Sequence, residues 1–423
     1  MNIFKNKLLW IAPIATMIIL VIFSLAFYPA YNPKDLPIGI LNEDKGTTIQ
    51  DKNVNIGKKL EDKLLDSDSN KIKWVKVDSE KDLEKDLKDQ KIFGVAIIDK
   101  DFSKDAMSKT QKVVMDSKKE EMQQKVASGE IPPQVVQQMK QKMGNQQVEV
   151  KQAKFKTIVS EGSSLQGSQI ASAVLTGMGD NINAQITKQS LETLTSQNVK
   201  VNAADINGLT NPVKVDNEKL NKVKDHQAGG NAPFLMFMPI WIGSIVTSIL
   251  LFFAFRTSNN IVVQHRIIAS IGQMIFAVVA AFAGSFVYIY FMQGVQGFDF
   301  DHPNRIAIFV ALAILGFVGL ILGVMVWLGM KSVPIFFILM FFSMQLVTLP
   351  KQMLPESYQK YVYDWNPFTH YATSVRELLY LNHHIELNST MWMFIGFMIF
   401  GAVSSLVSAI VRKHSTKRTE VPS

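Results

Sequence analysis

Few residues in this 423-residue chain have the type and spacing that catalytic chemistry requires. There is no cysteine, which fits an exposed domain without disulfides. His383 and His384 are adjacent on a loop, an arrangement more typical of solvated histidines than of metal ligands. The stretch GVMVWLGMKS (323–332) has the glycines, lysine and serine of a phosphate cradle. Its spacing is wrong, Met330 precedes Lys331 where glycine belongs, and it ends an apolar run instead of following a soluble strand. The sequence therefore predicts no catalytic residue, cofactor, metal or nucleotide site of its own. No charged cluster sits inside an apolar run, as a proton relay would need.

The informative spacings position helices. GFVGLILG (316–323) contains Gly316, then Gly319 and Gly323 four apart, which let helix backbones approach closely. Internal packing and a dimer face are both open uses. NPFTHYATSVREL (366–378) places Asn366 as a cap and Pro367 in a first turn. Phe368, Tyr371, Ala372, Val375, Leu378 and Leu379 then follow at helical spacing, with Thr369, His370, Thr373, Arg376 and Glu377 opposite. This predicts a short amphipathic helix lying at the outer membrane surface or dipping in, with Tyr361, Tyr363 and Trp365 as an interfacial belt. RTSNNIVVQHR (256–266) offers one turn with an apolar face, Ile261 to Val263, among Arg256, His265 and Arg266. It reads either as a positive clamp or as a docking element.

The elements that position these residues are apolar runs. A hydrocarbon core of about 30 Å needs about 20 apolar residues as helix. Six runs qualify or nearly qualify: 8–28, 234–255, 267–292, 306–329, 333–349 and 391–411. The first is longer than a signal-peptide core and is expected to be a retained anchor. With the N-terminus inside, the cytoplasmic pieces 1–7, 256–266, 330–332 and 412–423 carry nine Lys and Arg against Glu420 alone. That follows the positive-inside rule, although Lys351, Lys360 and Arg376 fall outside. The expected fold class is an α-helical polytopic membrane protein of six transmembrane helices, with an extracellular α/β domain inserted between helices 1 and 2. Its parts are the first helix (1–28), the outer domain (29–233), a five-helix membrane domain (234–411) and a basic cytoplasmic tail (412–423). The net charge of +8 does not indicate nucleic acid, because residues 29–233 hold 31 Lys and no Arg against 29 acidic residues. The excess sits at membrane ends, where it meets anionic lipid.

Within the outer domain, 36–105 reads as a small α/β unit. LPIGILNED (36–44), KIKWVKV (71–77) and IFGVAII (92–98) are expected strands, separated by helices over 55–66 and 79–90, which implies parallel pairs. Residues 106–228 are polar, Gln-rich and expected to be largely helical: two helices over 119–144 broken at Gly129 to Pro133, a long helix over 164–197, and a linker over 207–233. KVVM (112–115) and QVEVKQAKF (147–155) are possible further strands. Low aromatic content predicts a weak core there.

Residues 349–378, with a Pro-rich turn, a polar-aromatic piece, an Asn-Pro step and a helix ending in Arg, resemble the segment before the last helix of type-2 ABC exporter permeases. PIGILNEDKG (37–46), FGVAIIDKDFS (93–103) and NAPFLMFMPIWIG (231–243) resemble the YhgE/Pip branch of that superfamily. Asn42-Glu43-Asp44-Lys45-Gly46 is the sharpest of these motifs. The order of elements matches along nearly the whole chain. The short N-terminus and short outer domain depart from many members. The resemblance implies a permease without ATP-binding machinery, driven by a separate cytoplasmic ABC ATPase, working as a homodimer or with a similar half, in contact with membrane lipids, and multi-pass in a bacterial, Gram-positive cell membrane. Residues 256–266 would transmit ATPase closure and 366–379 would form part of an outer gate. The substrate is open, with an amphipathic or lipid-like one favoured by spans free of charge. A different class, a non-transporting envelope scaffold, receptor-like or secretion-accessory protein, is also compatible with that branch.

Overall fold

The computed structural model describes residues 35–49, 52–67, 69, 71–129, 148–257 and 261–411, with scattered positions between 13 and 24. The first apolar run, the break at Gly129 to Pro133, Ser258 to Asn260 and the basic tail 412–423 lie wholly or mostly outside the described residues. The chain divides into two units. One comprises residues 35–160 and 167–220; the other takes 161–166 and everything from 221 onward, together with 1–34.

The first unit is built on a five-stranded sheet. Its strands are β1 (Leu36–Asn42), β4 (Ile72–Lys76), β5 (Gly94–Ile98), β6 (Ala153–Ser160) and β7 (Val213–Leu220), in the order β4-β1-β5-β6-β7. Two short strands, β2 (Thr47–Ile49) and β3 (Lys52–Val54), form a separate hairpin. β1 pairs in parallel with both β4 and β5, β5 is antiparallel to β6, and β6 is parallel to β7. The helices are α1 (Ile56–Leu65), α2 (Glu80–Lys88), α3 (Phe102–Ala127), α4 (Leu165–Ser196) and α5 (Ala203–Thr210). Strand side chains alternate between the two sheet faces. Leu41, Val95 and Ile158 pack with Leu83 and Leu87 of α2. On the opposite face Gly94 lies so close to α4 that a Cβ there would sit 2.9 Å from Leu175 Cδ1.

Two expectations for this unit are corrected. KVVM (112–115) is helical, in the middle of α3. The supposed linker 207–233 contains the end of α5 and all of β7, so the sheet extends well beyond residue 105. β7 escaped recognition because it is an edge strand: after Val213 and Val215 its alternation gives way to Asp216, Asn217, Glu218 and Lys219. Charge on an edge blocks further pairing. It is held by eight register pairs with β6, by Thr157 donating to Asn217 across the strands (2.6 Å), and by the Asn183 amide of α4, which bonds Val213 N and O.

The second unit is helical: α6 (Ala232–Ala254), α7 (Val263–Gly294), α8 (Pro303–Leu328), α9 (Val333–Thr348), α10 (Glu356–Tyr361), α11 (Pro367–Tyr380) and α12 (Ser389–Val411). Among the described residues four stretches are long and apolar enough to cross a membrane: 232–254, 263–294, 303–348 and 389–411. The third runs through α8 and α9, joined by a 3-10 turn over Gly329–Ser332 in which Gly329 has φ +61°. α9 has 16 residues, about 24 Å, short of a full hydrocarbon core. The chain folds back at this turn. Phe317 and Phe336 both pack edge-on against the Trp241 indole, at 5.0 and 6.2 Å, whereas one straight helix would hold them about 28 Å apart. α8 is the central helix, buried along most of its apolar length, whereas most of α7 is exposed or half-buried.

Candidate functional site

The buried aromatic centre of the helical unit is organised by α11. Asn366 caps it, accepting from Phe368 N at 2.9 Å, and its amide donates to Ser343 Oγ of α9 at 2.7 Å. Phe368 then lies 4.5 Å from Trp241 and 4.7 Å from Phe237 of α6, ring centre to ring centre. Tyr371 packs near Phe309 and Phe317 of α8. Val375 is buried in the same cluster. On the opposite side Thr369 donates to the Tyr363 carbonyl at 2.8 Å, and Ser374 to Thr390 of α12 at 3.0 Å. The surface-lying form of this helix is corrected: α11 packs against α6, α8, α9 and α12 at once. The amphipathic pattern is real, but its apolar face meets protein, and its short polar side chains find partners on neighbouring helices. Arg376 and Glu377 remain half-buried on its polar side.

The glycines Gly316, Gly319 and Gly323 of α8 all face α12. A Cβ on Gly319 would fall 2.6 Å from the Phe397 carbonyl oxygen, one on Gly316 2.9 Å from the Phe394 ring, and one on Gly323 would strike the Phe400 ring. The Ser404 hydroxyl, which donates to the Gly323 carbonyl at 2.6 Å and accepts from Trp327 at 2.7 Å, pins the same pair of helices. These glycines are therefore covered by a helix of the same chain.

The turn before α7 separates the residues grouped there. Ile261, Val262 and Val263 are 36%, 57% and 39% exposed, while Arg266 is only 3% exposed. Arg256 and His265 are exposed as well. Arg266, grouped with Ile261 to Val263 as part of one docking element, is not on its surface: α7 starts at Val263, and one turn later position 266 faces the bundle.

In the sheet unit, Asn42 to Gly46 forms a lock. The Asp44 carboxylate accepts from Gly57 N at 3.0 Å and Ser103 N at 3.1 Å, near the N-termini of α1 and α3, and from the Ser103 hydroxyl. It also accepts from Gly46 N at 3.1 Å, where the chain turns at φ +74°. Helix N-termini offer unpaired N–H groups and partial positive charge, so one carboxylate satisfies both. The Glu43 and Lys45 N–H groups bond the carbonyls of Ile98 and Lys100. Asn42 donates to Glu61 at 2.9 Å. Burial by itself would push the Glu61 carboxyl up, but the hydrogen bonds from Asn42 and Lys76 and the charges of Lys58 and Lys76 outweigh it and hold it below the usual carboxylate range. Each partner of this motif is structural.

The model of the ABC-2 family transporter protein matches residues 7–407. The chain belongs to the ABC-2 transporter family. Neither the curated proteins nor the solved structures contain a match to it. The family is one of membrane transport subunits, so in this ABC-2 protein the bundle around α8 and α11 is the machinery to interpret. Among the described residues no group of His, Asp and Glu could hold a metal ion. Sequence reasoning missed Trp241, the indole on which α6, α8, α9 and α11 converge. It also missed Gln273, buried on α7 and bonded to the Leu251 carbonyl of α6 at 3.1 Å. A tryptophan inside an otherwise uniform apolar run was the available signal for the first; the second had none.

Proposed function

We propose that this chain is the permease subunit of an ABC exporter, with six spans, the sheet unit outside, both termini in the cytoplasm, and affinity to the YhgE/Pip branch. A separate cytoplasmic ATPase drives it by docking at Ile261 to Val263. The observation that carries this reading is the exposure of three consecutive aliphatic residues between exposed Arg256 and His265, at the first turn of α7. A small apolar set with a charged rim is the anatomy of a docking hot spot. Arg266, buried at the root of the same helix, would pass a push on the turn into the bundle. α11, wedged among four helices, would form the outer gate, and a second copy or a similar half would complete the pathway. The substrate that suits this pathway is amphipathic.

The test is co-purification of the ATPase with variants of the turn. Val262→Asp with Val263→Asp should release the ATPase and leave the detergent-solubilised yield unchanged, since both side chains point away from the bundle. A stoichiometric ATPase on the double variant would remove the turn as the docking site. A wild-type chain without any ATPase, isolated under conditions that preserve membrane complexes, would favour an envelope scaffold.

A further inference from the structure

Arg376 is the unabsorbed charge of the bundle. It lies on the polar stripe of α11 with Thr369, Thr373 and Tyr380. Its Nε is sealed from solvent and has no hydrogen-bond partner, and among the described residues no carboxylate forms a salt bridge with it. The titratable groups that face it are Tyr363, Tyr380 and Glu377. Both ends of the stripe are closed: Thr369 is spent on the Tyr363 carbonyl, and the Tyr380 hydroxyl donates to the Gln227 carbonyl at 3.1 Å. Gln227 lies five residues before α6 begins at Ala232, across a 3-10 turn, so Tyr380 sits near the level at which that helix begins. Arg376 lies about 6 Å along the helix from there, one turn inward. In the topology proposed above, with α6 entering the membrane after Ala232, this level is that of the charged group of a phospholipid or fatty acid.

A guanidinium held partly out of water with no acceptor is costly. Its planar fork matches an oxyanion, phosphate or carboxylate, through two parallel hydrogen bonds. Asn366, Ser374 and Gln273 are bonded to Ser343, Thr390 and Leu251, and the Trp241 and Tyr371 polar atoms that are sealed without a partner are neutral, whereas Arg376 carries a charge. We infer that Arg376 anchors the oxyanion of an amphipathic molecule at the outer end of α11, flanked by the Tyr363 and Tyr380 rings. The inference concerns binding alone and needs neither ATPase nor transport, so it stands or falls separately from the exporter reading.

The experiment uses the full-length chain in detergent and native mass spectrometry with four probes: phosphatidylglycerol, hexadecanoate, uncharged diacylglycerol and inorganic phosphate. Wild type should retain phosphatidylglycerol and hexadecanoate at least about tenfold more tightly than diacylglycerol, a difference of about 1.4 kcal/mol. Arg376→Gln should erase that preference and Arg376→Lys should keep part of it. Lys351→Gln, at a lysine already paired with Asp364, should leave it intact. Tight binding of the amphiphiles with weak binding of inorganic phosphate assigns the site to a membrane-borne anion. Equal binding of inorganic phosphate assigns it to a soluble one. If Arg376→Gln does not fold, the wild-type ratio of phosphatidylglycerol to diacylglycerol and its collapse in high salt decide. A wild type without preference, or a folded Arg376→Gln that keeps it, overturns the assignment.

Discussion

Gly319 and Gly401 touch backbone to backbone: a Cβ on Gly401 would lie 2.5 Å from the Gly319 carbonyl oxygen and 2.6 Å from its Cα. The central helix α8 and the last helix α12 thus cross where neither has a side chain. In a lipid environment helix association rests on this kind of close packing, because lipid tails are as apolar as the helices.

Substitution along the stripe should be graded. Gly319→Ala or Gly401→Ala meets rigid backbone and should cost about 1–3 kcal/mol of overpacking. Gly323→Ala meets only the Phe400 ring, which can turn away, and should cost less. Thermal unfolding in detergent, scored beside monodisperse yield, measures the order. Gly323→Ala as damaging as Gly401→Ala would contradict it.

Asp44→Ala should loosen α1 and α3 together. Two cap interactions at about 1 kcal/mol each give about 2 kcal/mol, seen as faster amide hydrogen exchange in Ile56–Leu65 and the first turns of Phe102–Ala127. Ser103→Ala should affect the same amides more weakly. Gly57→Ala should behave like Asp44→Ala, because its new methyl would sit 2.6 Å from the Asp44 Cβ. Faster exchange in only one of the two helices would show that the carboxylate does not join them.

Acid should unpick the neighbouring Glu61 site. Its folded pKa is depressed, so its contribution is present above the unfolded value of about 4.3 and is lost as pH falls through the folded value below it. Glu61→Gln should flatten the acid side of the stability curve in that window and lower stability at neutral pH, where Lys58 and Lys76 lose their partner. The measurement is exchange or thermal unfolding between pH 3 and 7, roughly the span of the titration. An unchanged acid slope in the variant would assign acid sensitivity to other carboxylates.

Orientation is accessible because the native chain has no cysteine. Lys85→Cys, on the exposed side of α2, should react with a membrane-impermeant maleimide on intact cells. Val262→Cys should react only after the membrane is opened. The reverse pattern would invert the proposed topology.

The sequence by itself determined the features that depend on local pattern. The apolar runs from 234 onward are helices because each is long and uncharged, the segments 36–42 and 94–98 are strands because short apolar runs end in turn formers, 72–76 is a strand because Ile72 and Trp74 alternate with lysine, and α11 begins at Pro367 because Asn366 can cap it. Tertiary structure decided what each face meets. An apolar helix face reads the same whether it contacts lipid or Trp241, since both are apolar, so the pattern of 366–379 does not distinguish a surface helix from one wedged in the bundle. The strand character of Val213–Leu220 comes from its pairing with Ala153–Ser160, a partner about sixty residues earlier that no local periodicity reveals. The glycines of α8 announced a close approach, but only the fold named Gly401 as the partner. Arg266 and Val263 are three residues apart in one basic loop pattern, and the helix that starts at Val263 sends the first inward and leaves the second exposed.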